Sequence, residues 1–306
     1  MKIAIAGAGD LAKYLTEELL LAGHNVVVLS RSQPPWFTRP DITFRTVDYS
    51  SVPALTIALS DCDALISAIL DYTMRFTTAH LALIEACQKS LNCKTIIPSE
   101  YAGNTDDYPD QPTFYYANHE PVRKVLREQT DIRWTLFNFG WLTDYLVPTS
   151  YRYIKDIGEN HPVDLTAGTM RIPGTGDEKV AFTPVRDAAK AIVRLFEFRD
   201  WDPIIYVCGE TTTWNTVAEK MKGRVSGLKI IYRSKEVLEK QVADAGSDEE
   251  VIAAQYEIWS ISGAGFLPQE KLARQQEKYF NGLKFRTIDE FLADADKEGG
   301  RNKIAL

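Results

Sequence analysis

The turn Gly7-Ala8-Gly9-Asp10-Leu11-Ala12 constrains the fold of this chain more than any other segment. Its pattern, G-x-G-x-x-A, lies between an apolar run at residues 2–6 and a helical pattern at residues 11–22. In such a turn the first glycine permits the tight bend, the second lets the backbone approach a pyrophosphate, and the small last residue allows close helix–strand packing. The helix N-terminus then offers free N–H groups and partial positive charge to the phosphates. The segment predicts dinucleotide binding by Gly7, Gly9, Asp10 and Leu11, with a plain tight turn as the alternative.

Short apolar runs alternate with helical patterns through the first half of the chain. The predicted strands are residues 2–6, 26–29, 43–47, 64–68, 94–98 and 134–138, and the predicted helices are residues 11–22, 52–59, 76–87 and 121–129. Several of these strands are apolar along their whole length, which is typical of a parallel sheet covered on both faces. The pattern predicts a doubly wound α/β domain over residues 1–150.

The rhythm changes after about residue 145. Predicted helices at 186–196, 235–245, 249–260 and 287–295, with strands at 204–208 and 229–232, indicate a smaller α+β lobe over residues 151–306. Residues 172–196 are expected to return to the first domain, and residues 299–306 to form a loose tail.

Composition restricts the possible partners. The 306 residues carry 35 Lys+Arg and 42 Asp+Glu, a net charge of −7, which argues against non-specific nucleic-acid binding. No apolar run approaches the ~20 residues that span a bilayer, and the first apolar stretch is too short for a signal peptide. The four cysteines form neither a CxxC pair nor a cluster with histidine at metal-ligand spacing. We therefore expect a cytoplasmic protein with a small-molecule substrate and without a metal site.

The residues after the second strand favour one form of the dinucleotide. A site for NAD usually has an acid about 20 residues after the glycines, where it binds the ribose 2′-hydroxyl. This chain has Ser30-Arg31-Ser32 instead, and a planar cation with two hydroxyls suits a 2′-phosphate. We predict NADP(H), although Arg31 as a solvated loop charge is an alternative. Asp48 either binds the adenine amino group or forms the turn before Ser50.

Five segments in order suggest a family. They are GAGDLAKYL near the N-terminus, IIPSEYAGN at 96–104, VRKVLRE at 122–128, WTLFNFGWLTDYLVP at 134–148 and IPGTGDEKVAFTPVRDAA at 172–189. Together they resemble the NmrA-like and isoflavone-reductase-like branch of the atypical short-chain dehydrogenases, with fungal members closest. The resemblance implies an NADP(H)-binding Rossmann domain, a small C-terminal substrate lobe and a cleft between them. It also implies either a reductase of small, often aromatic, secondary metabolites or a dinucleotide-sensing regulator.

One position departs from this family. The reductases have a lysine three residues before the Val122-Arg123 pair, where this chain has His119. Histidine is mostly neutral at pH 7, yet its pKa of ~6.5 suits a general acid or base. Three interpretations stay open for His119: catalytic proton transfer, hydrogen bonding to ribose or substrate, or a structural role. Tyr115 lies four residues earlier and is a second candidate proton donor, although Tyr116 has the same chemistry.

Further candidates follow the predicted strands, because doubly wound sheets bind ligands at the carboxyl ends of their strands. Those expected against the cofactor are Ser67, Ala68, Ile69, Pro98 and Asn138. Ser99 is expected to orient the reacting carbonyl. Those expected to contact substrate are Tyr101, Gly140, Trp141 and Tyr145, with a core or hinge role as the alternative for the last two.

Three functions compete at this stage. The first is an NADPH-dependent reductase of a small, aromatic or polyketide-like molecule, with His119 or Tyr115 supplying the proton. The second is an NADP(H)-sensing protein that acts through a protein partner, and the missing lysine favours it. The third is a non-redox cyclase or isomerase on the same fold.

Overall fold

The computed structural model describes residues 1–297, so the predicted tail at 299–306 lies outside the described residues. The strands are β1 Lys2–Ala6, β2 Asn25–Ser30, β3 Ile42–Thr46, β4 Ala64–Ser67, β5 Thr95–Ile97, β6 Arg133–Trp134, β7 Leu136–Asn138, β8 Trp141–Leu142, β9 Val163–Asp164, β10 Thr169–Pro173, β11 Lys179–Thr183, β12 Ile204–Tyr206, β13 Glu210–Thr213 and β14 Lys229–Arg233. The α-helices are α1 Asp10–Leu21, α2 Val52–Ala58, α3 Met74–Lys89, α4 Thr113–Glu128, α5 Val185–Leu195, α6 Trp214–Lys222, α7 Lys235–Asp244, α8 Asp248–Ile261, α9 Gln269–Tyr279 and α10 Ile288–Lys297.

A six-stranded parallel sheet organises the first half of the chain. Its order is β3-β2-β1-β4-β5-β6, the order of a doubly wound dinucleotide-binding sheet. Each pair of neighbouring strands is parallel, and the apolar strands β1, β2 and β4 are buried on both faces. The predicted doubly wound α/β fold is confirmed.

The predicted sixth strand is divided at Thr135. β6 pairs with β5, whereas β7 pairs in parallel with β12, from the second half of the chain. The Thr135 hydroxyl donates to the Asp202 carbonyl oxygen at 2.8 Å. After this division the chain leaves the six-stranded sheet and forms a two-stranded sheet with the second half of the chain.

The helix predicted at 121–129 begins eight residues earlier, at Thr113. Proline is favoured in the first turn of a helix, but Pro121 lies inside α4. Contacts of the preceding turn hold it in helical form: His119 stacks on Phe76 of α3, and the Thr77 hydroxyl donates to the Asn118 carbonyl oxygen at 2.6 Å. The extra turns bring Tyr115 and His119 onto a helix.

The rest of the chain combines small sheets with helices. β11 lies between β8 and β13, and β10 lies between β9 and β14. α5 packs against α1, where Ala188 and Ile192 share a buried core with Ala12 and Leu15. Helices α6 and α9 and strands β8, β9, β10, β11 and β13 were not predicted. No helix in the described part of the chain is long and apolar enough to cross a bilayer.

Candidate active site

A cavity of about 810 Å³ opens at the carboxyl ends of the central strands. It extends from the turn after β1 to aromatic side chains of α4 and α8. Most of the predicted site residues line it: Gly7, Gly9, Asp10, Leu11, Ser30, Arg31, Asp48, Ala68, Ile69, Ser99, Tyr101, Tyr115, His119, Gly140, Trp141 and Tyr145. The structure therefore brings together residues from the ends of all six strands predicted in the first half of the chain and from α4.

Four predicted cofactor contacts do not line the cavity. Ser32 is exposed beyond it, and Pro98 and Ser67 are buried behind its wall. Asn138 is fully buried, accepts a hydrogen bond from the Ala102 amide at 3.0 Å and donates to the Thr105 hydroxyl at 3.2 Å. In the structure Asn138 secures the loop after β5.

The glycine turn has the shape that a diphosphate requires. Gly7 has a φ of +100°, and a Cβ atom there would lie 3.0 Å from the backbone of Ala68. A Cβ atom on Gly9 would meet no other atom within 4 Å, so the turn leaves open space toward the cavity. No side chain caps α1 at its N-terminus, which leaves its first N–H groups free for phosphate oxygens. These residues fit a dinucleotide.

The carboxylates of Asp10 and Asp48 are engaged in hydrogen bonds within the protein. The Asp10 carboxylate accepts from the Lys155 amide at 3.0 Å and from the Lys13 ammonium at 3.1 Å. Asp48 accepts from the Ser50 amide and hydroxyl at 2.9 and 2.7 Å, and these two bonds lower its pKa. Asp48 therefore has the turn-forming role that was one of its two interpretations. It also lines the cavity, as does the exposed Arg31.

His119 is a buried wall residue rather than an exposed base. It is 1% exposed, and its ring stacks on Phe76 at 3.8 Å between centroids. Nδ1 lies 2.5 Å from Asn118 Oδ1 and 3.1 Å from the Tyr115 carbonyl oxygen. Burial lowers the pKa of His119 to about 4, against the opposing effect of Glu100. The imidazole is therefore neutral at pH 7.

A buried ion pair supports this wall. Arg123 of α4 and Glu100 of the loop after β5 pair through two hydrogen bonds, with side chains 3% and 2% exposed. Burial alone would raise the pKa of Glu100, but Arg123 and the nearby histidines lower it below its usual value. Glu100 is thus an ionised carboxylate that fixes the loop carrying Ser99, whose amide donates to His80 Nε2 at 3.3 Å.

Tyr101 holds the next position of this loop in an unusual conformation. Its φ of +32° is the one positive value of a non-glycine residue among residues 1–297. Its hydroxyl donates to the Ser67 carbonyl oxygen at 2.7 Å, and its ring stacks on Phe139 at 5.6 Å. Such local strain often accompanies a functional site.

The structure separates the two neighbouring tyrosines and adds two others. Tyr115 lines the cavity, whereas Tyr116 is 42% exposed outside it. The Tyr115 hydroxyl oxygen lies 3.1 Å from that of Tyr256, which lies 3.2 Å from that of Tyr72. Neither partner was predicted from the sequence. Tyr72 follows β4 closely enough for the strand-end rule to have found it, but no sequence signal placed α8 over the cavity.

Trp141 and Tyr145 serve both the core and the cavity. The Trp141 indole N–H donates to the Ser260 hydroxyl at 3.0 Å, and its ring packs edge-on against Trp259 at 5.4 Å. Tyr145 packs against His161 at 4.5 Å. Both aromatic side chains also line the cavity, so the two interpretations are compatible.

The strand order and the glycine turn that opens into the cavity define a dinucleotide-binding protein of the Rossmann type. The chain belongs to the NAD(P)H-binding family, whose model matches residues 6–165, and to its NmrA-like and isoflavone-reductase-like branch. It is 43% identical to "Oxidoreductase swnR" of Arthroderma benhamiae over 97% of this chain and 98% of that protein. It is 21% identical to "Phenylcoumaran benzylic ether reductase 1" of Arabidopsis thaliana over 94% and 96% of the two chains.

A solved structure shares the fold. The leucoanthocyanidin reductase–NADPH complex of Vitis vinifera has a TM-score of 0.73 and 16% identity, covering 96% of this chain and 99% of that one. The predicted family and nicotinamide cofactor are confirmed, and the chain is an oxidoreductase.

Proposed function

We propose that the chain is an NADPH-dependent reductase of a small, aromatic or polyketide-like secondary metabolite. The observation that carries this proposal is that one cavity joins the glycine turn to aromatic side chains of α4 and α8. Aromatic side chains with a few polar groups are typical of sites for small aromatic ligands. Bound NADPH supplies a hydride, and the protein orients the acceptor and provides a proton.

We assign the proton to Tyr115 and the orientation of the acceptor to Ser99. Both side chains belong to residues that line the cavity. His119, which is neutral and hydrogen-bonded to its own helix, is a wall residue in this proposal rather than the acid. Four free cysteines support a cytoplasmic location, since disulfides are rare there.

Preference for the phosphorylated cofactor rests on Arg31. Its exposed guanidinium lines the cavity beside Ser30 at the end of β2, where the ribose 2′ position lies in this fold. We expect Arg31→Ala to weaken NADPH binding at least tenfold and to leave NADH binding nearly unchanged, as measured by calorimetry. Arg274→Ala, an exposed site on α9 away from the cavity, is the matched control.

The reductase activity is tested by the loss of NADPH absorbance with a panel of aromatic aldehydes, ketones and enones. Turnover of one panel member, lowered at least tenfold by Tyr115→Phe, is the expected result. NADPH binding without oxidation by any acceptor would favour the regulatory interpretation instead.

A further inference from the structure

Three tyrosine hydroxyls from separate elements meet at the cavity wall. Tyr72 lies between β4 and α3, Tyr115 near the start of α4, and Tyr256 within α8. The Tyr256 oxygen lies between the other two, at 3.1 Å from Tyr115 and 3.2 Å from Tyr72. Phe114 holds the group by edge-to-face packing, 5.0 Å from Tyr256 and 5.4 Å from Tyr72. We call Tyr72, Tyr256 and Tyr115 the tyrosine chain.

The tyrosine chain has one hydrogen-bond donor more than its own links use. Each phenol has a single O–H to donate and can also accept. The hydrogen bonds Tyr72–Tyr256 and Tyr256–Tyr115 use two of the three O–H groups, whichever residue is the donor in each bond. Within residues 1–297 these hydroxyls have no further hydrogen-bond acceptor, so the third proton faces the cavity. All three residues line the cavity, so this O–H is available to an oxygen acceptor on a ligand bound there.

We propose that Tyr115 donates this proton to the oxygen of a carbonyl substrate, and that Tyr256 and Tyr72 are positioning residues for it. This inference rests on the proposed reductase function and adds the substrate class, an aldehyde or ketone. Tyr115 is the donating end because its ring lies 4.5 Å from His119, toward the strand ends where Ser99 lines the cavity.

The step balances without a further reactant. The carbonyl carbon gains the hydride with its two electrons, the C=O π bond breaks, and its electron pair passes to oxygen. Tyr115 gives its proton to that oxygen, and the product is an alcohol. Tyr115 then recovers a proton from Tyr256, Tyr256 from Tyr72, and Tyr72 from solvent, while the cofactor is oxidised by two electrons.

Neutral hydrogen-bond donors suit this part of the cavity because the buried charges of Glu100 and Arg123 are paired with each other. Glu100, whose charge acts on Tyr115, lies in the loop after β5 and is paired with Arg123. Aligned hydroxyl dipoles can stabilise a developing oxyanion here, and they are effective where water is excluded. Burial raises the pKa of Tyr115, and the hydrogen bond from Tyr256 opposes that rise, as expected for a chain whose members polarise one another.

The test uses 4-nitrophenol as a probe, since its phenolate carries a negative oxygen and absorbs in the visible. It is titrated with pH on full-length protein saturated with NADP⁺. We expect the pKa of the bound probe to fall by about one unit, a tenfold preference for the anion. Tyr115→Phe and Tyr256→Phe keep the rings and should reduce this preference at least fivefold, because hydrogen bonds to charged groups have that strength. Tyr116→Phe is the matched control and should change nothing.

Calorimetric binding of NADP⁺ by each variant reports that it is folded. The proposal is overturned if wild-type protein that takes up NADP⁺ does not bind the probe or binds it without preference for the anion. It is also overturned if Tyr115→Phe and Tyr256→Phe retain the full preference. Failure to take up NADP⁺ at all would instead remove the proposed reductase function.

Discussion

Gly7 and Gly9 serve one turn for different physical reasons, and substitution can separate them. Gly7 needs its positive φ, and a Cβ added there would lie 3.0 Å from the Ala68 backbone, whereas a Cβ on Gly9 would project into open cavity. We expect Gly9→Ala to leave the melting temperature of the cofactor-free protein within about 2 °C, since the change lies within about ±0.5 kcal/mol. It should weaken NADPH binding at least tenfold, because the methyl group takes the space of a phosphate.

Gly7→Ala provides the comparison. Its strained φ and backbone contact should cost about 1–3 kcal/mol of stability, seen as a lower melting temperature before any ligand is added. Equal losses of stability in the two variants would contradict the separate roles assigned to these glycines.

Sequence patterns located residues whose chemistry depends on local geometry. The role of Gly7 in the turn follows from six consecutive residues, and Arg31 follows from its place after an apolar strand. The pairing of Tyr115 with Tyr256 could not be predicted, because 141 residues separate them and nothing in the sequence of α8 shows which face meets α4. The sequence could not distinguish Tyr115 from Tyr116 either, because the two residues are adjacent and chemically identical. Their difference in exposure arises from the packing of α4 in the folded protein.

Among the helices and strands, a buried ion pair joins α4 to the loop after β5. Removing one partner of a buried pair leaves an uncompensated charge, which costs about 3–5 kcal/mol. We expect Glu100→Gln to lower the free energy of unfolding by about this amount in urea titrations, because Arg123 then remains buried without its carboxylate. The double variant with Arg123→Met should recover part of the loss.

An exposed ion pair gives the control. Glu85 and Lys89 pair on the surface of α3 with side chains 49% and 60% exposed, and Glu85→Gln should change stability by less than about 1 kcal/mol. A Glu100→Gln variant as stable as Glu85→Gln would show that the buried pair is unimportant.

Element prediction succeeded where the hydrophobic pattern was long and failed where contacts across the fold override local signals. The strands β1, β2 and β4 have continuous apolar centres, and their positions were predicted within one or two residues. The start of α4 was wrong because Pro121 is a strong local signal that contacts of the preceding turn outweigh. The strand β13, ETTT, has no apolar residue, so its pairing with β11 could not be read from hydrophobicity.

Across the full chain, the two halves share one cavity. The first half supplies the glycine turn and strand ends, and α8 supplies Tyr256 and Trp259. β12 pairs with β7, which directly follows β6 in the chain, and α5 packs against α1, so the later segments stabilise the nucleotide-binding half as well as closing the site. The expected return of residues 172–196 to the first domain remains a prediction about the boundary, and the packing of α5 is consistent with it.

Three buried histidines and Asp144 contribute strongly to the pH dependence of stability. Burial lowers the pKa of His80 and His119 to about 4 and that of His161 to about 3. Burial raises the pKa of Asp144 to about 6. As the pH falls below ~6.5, the unfolded chain gains a proton on each of these histidines and the folded chain does not. The folded chain alone gains one on Asp144 between about pH 6 and 4.

Near pH 5 the unfolded chain therefore binds three protons on the histidines, whereas the folded chain binds one on Asp144. The difference is two protons. Through these four groups stability should fall as the pH is lowered from about 6.5 to 4, and their contribution is about 2–3 kcal/mol per pH unit near pH 5. Urea unfolding at pH 5, 6 and 7 measures this slope. Asp144→Asn removes the opposing proton, so its slope near pH 5 should rise to three protons, whatever the change in absolute stability. A slope unchanged in that variant would mean that Asp144 is already ionised in the folded protein and that its burial is offset by the Val185 amide, which donates to it at 2.7 Å.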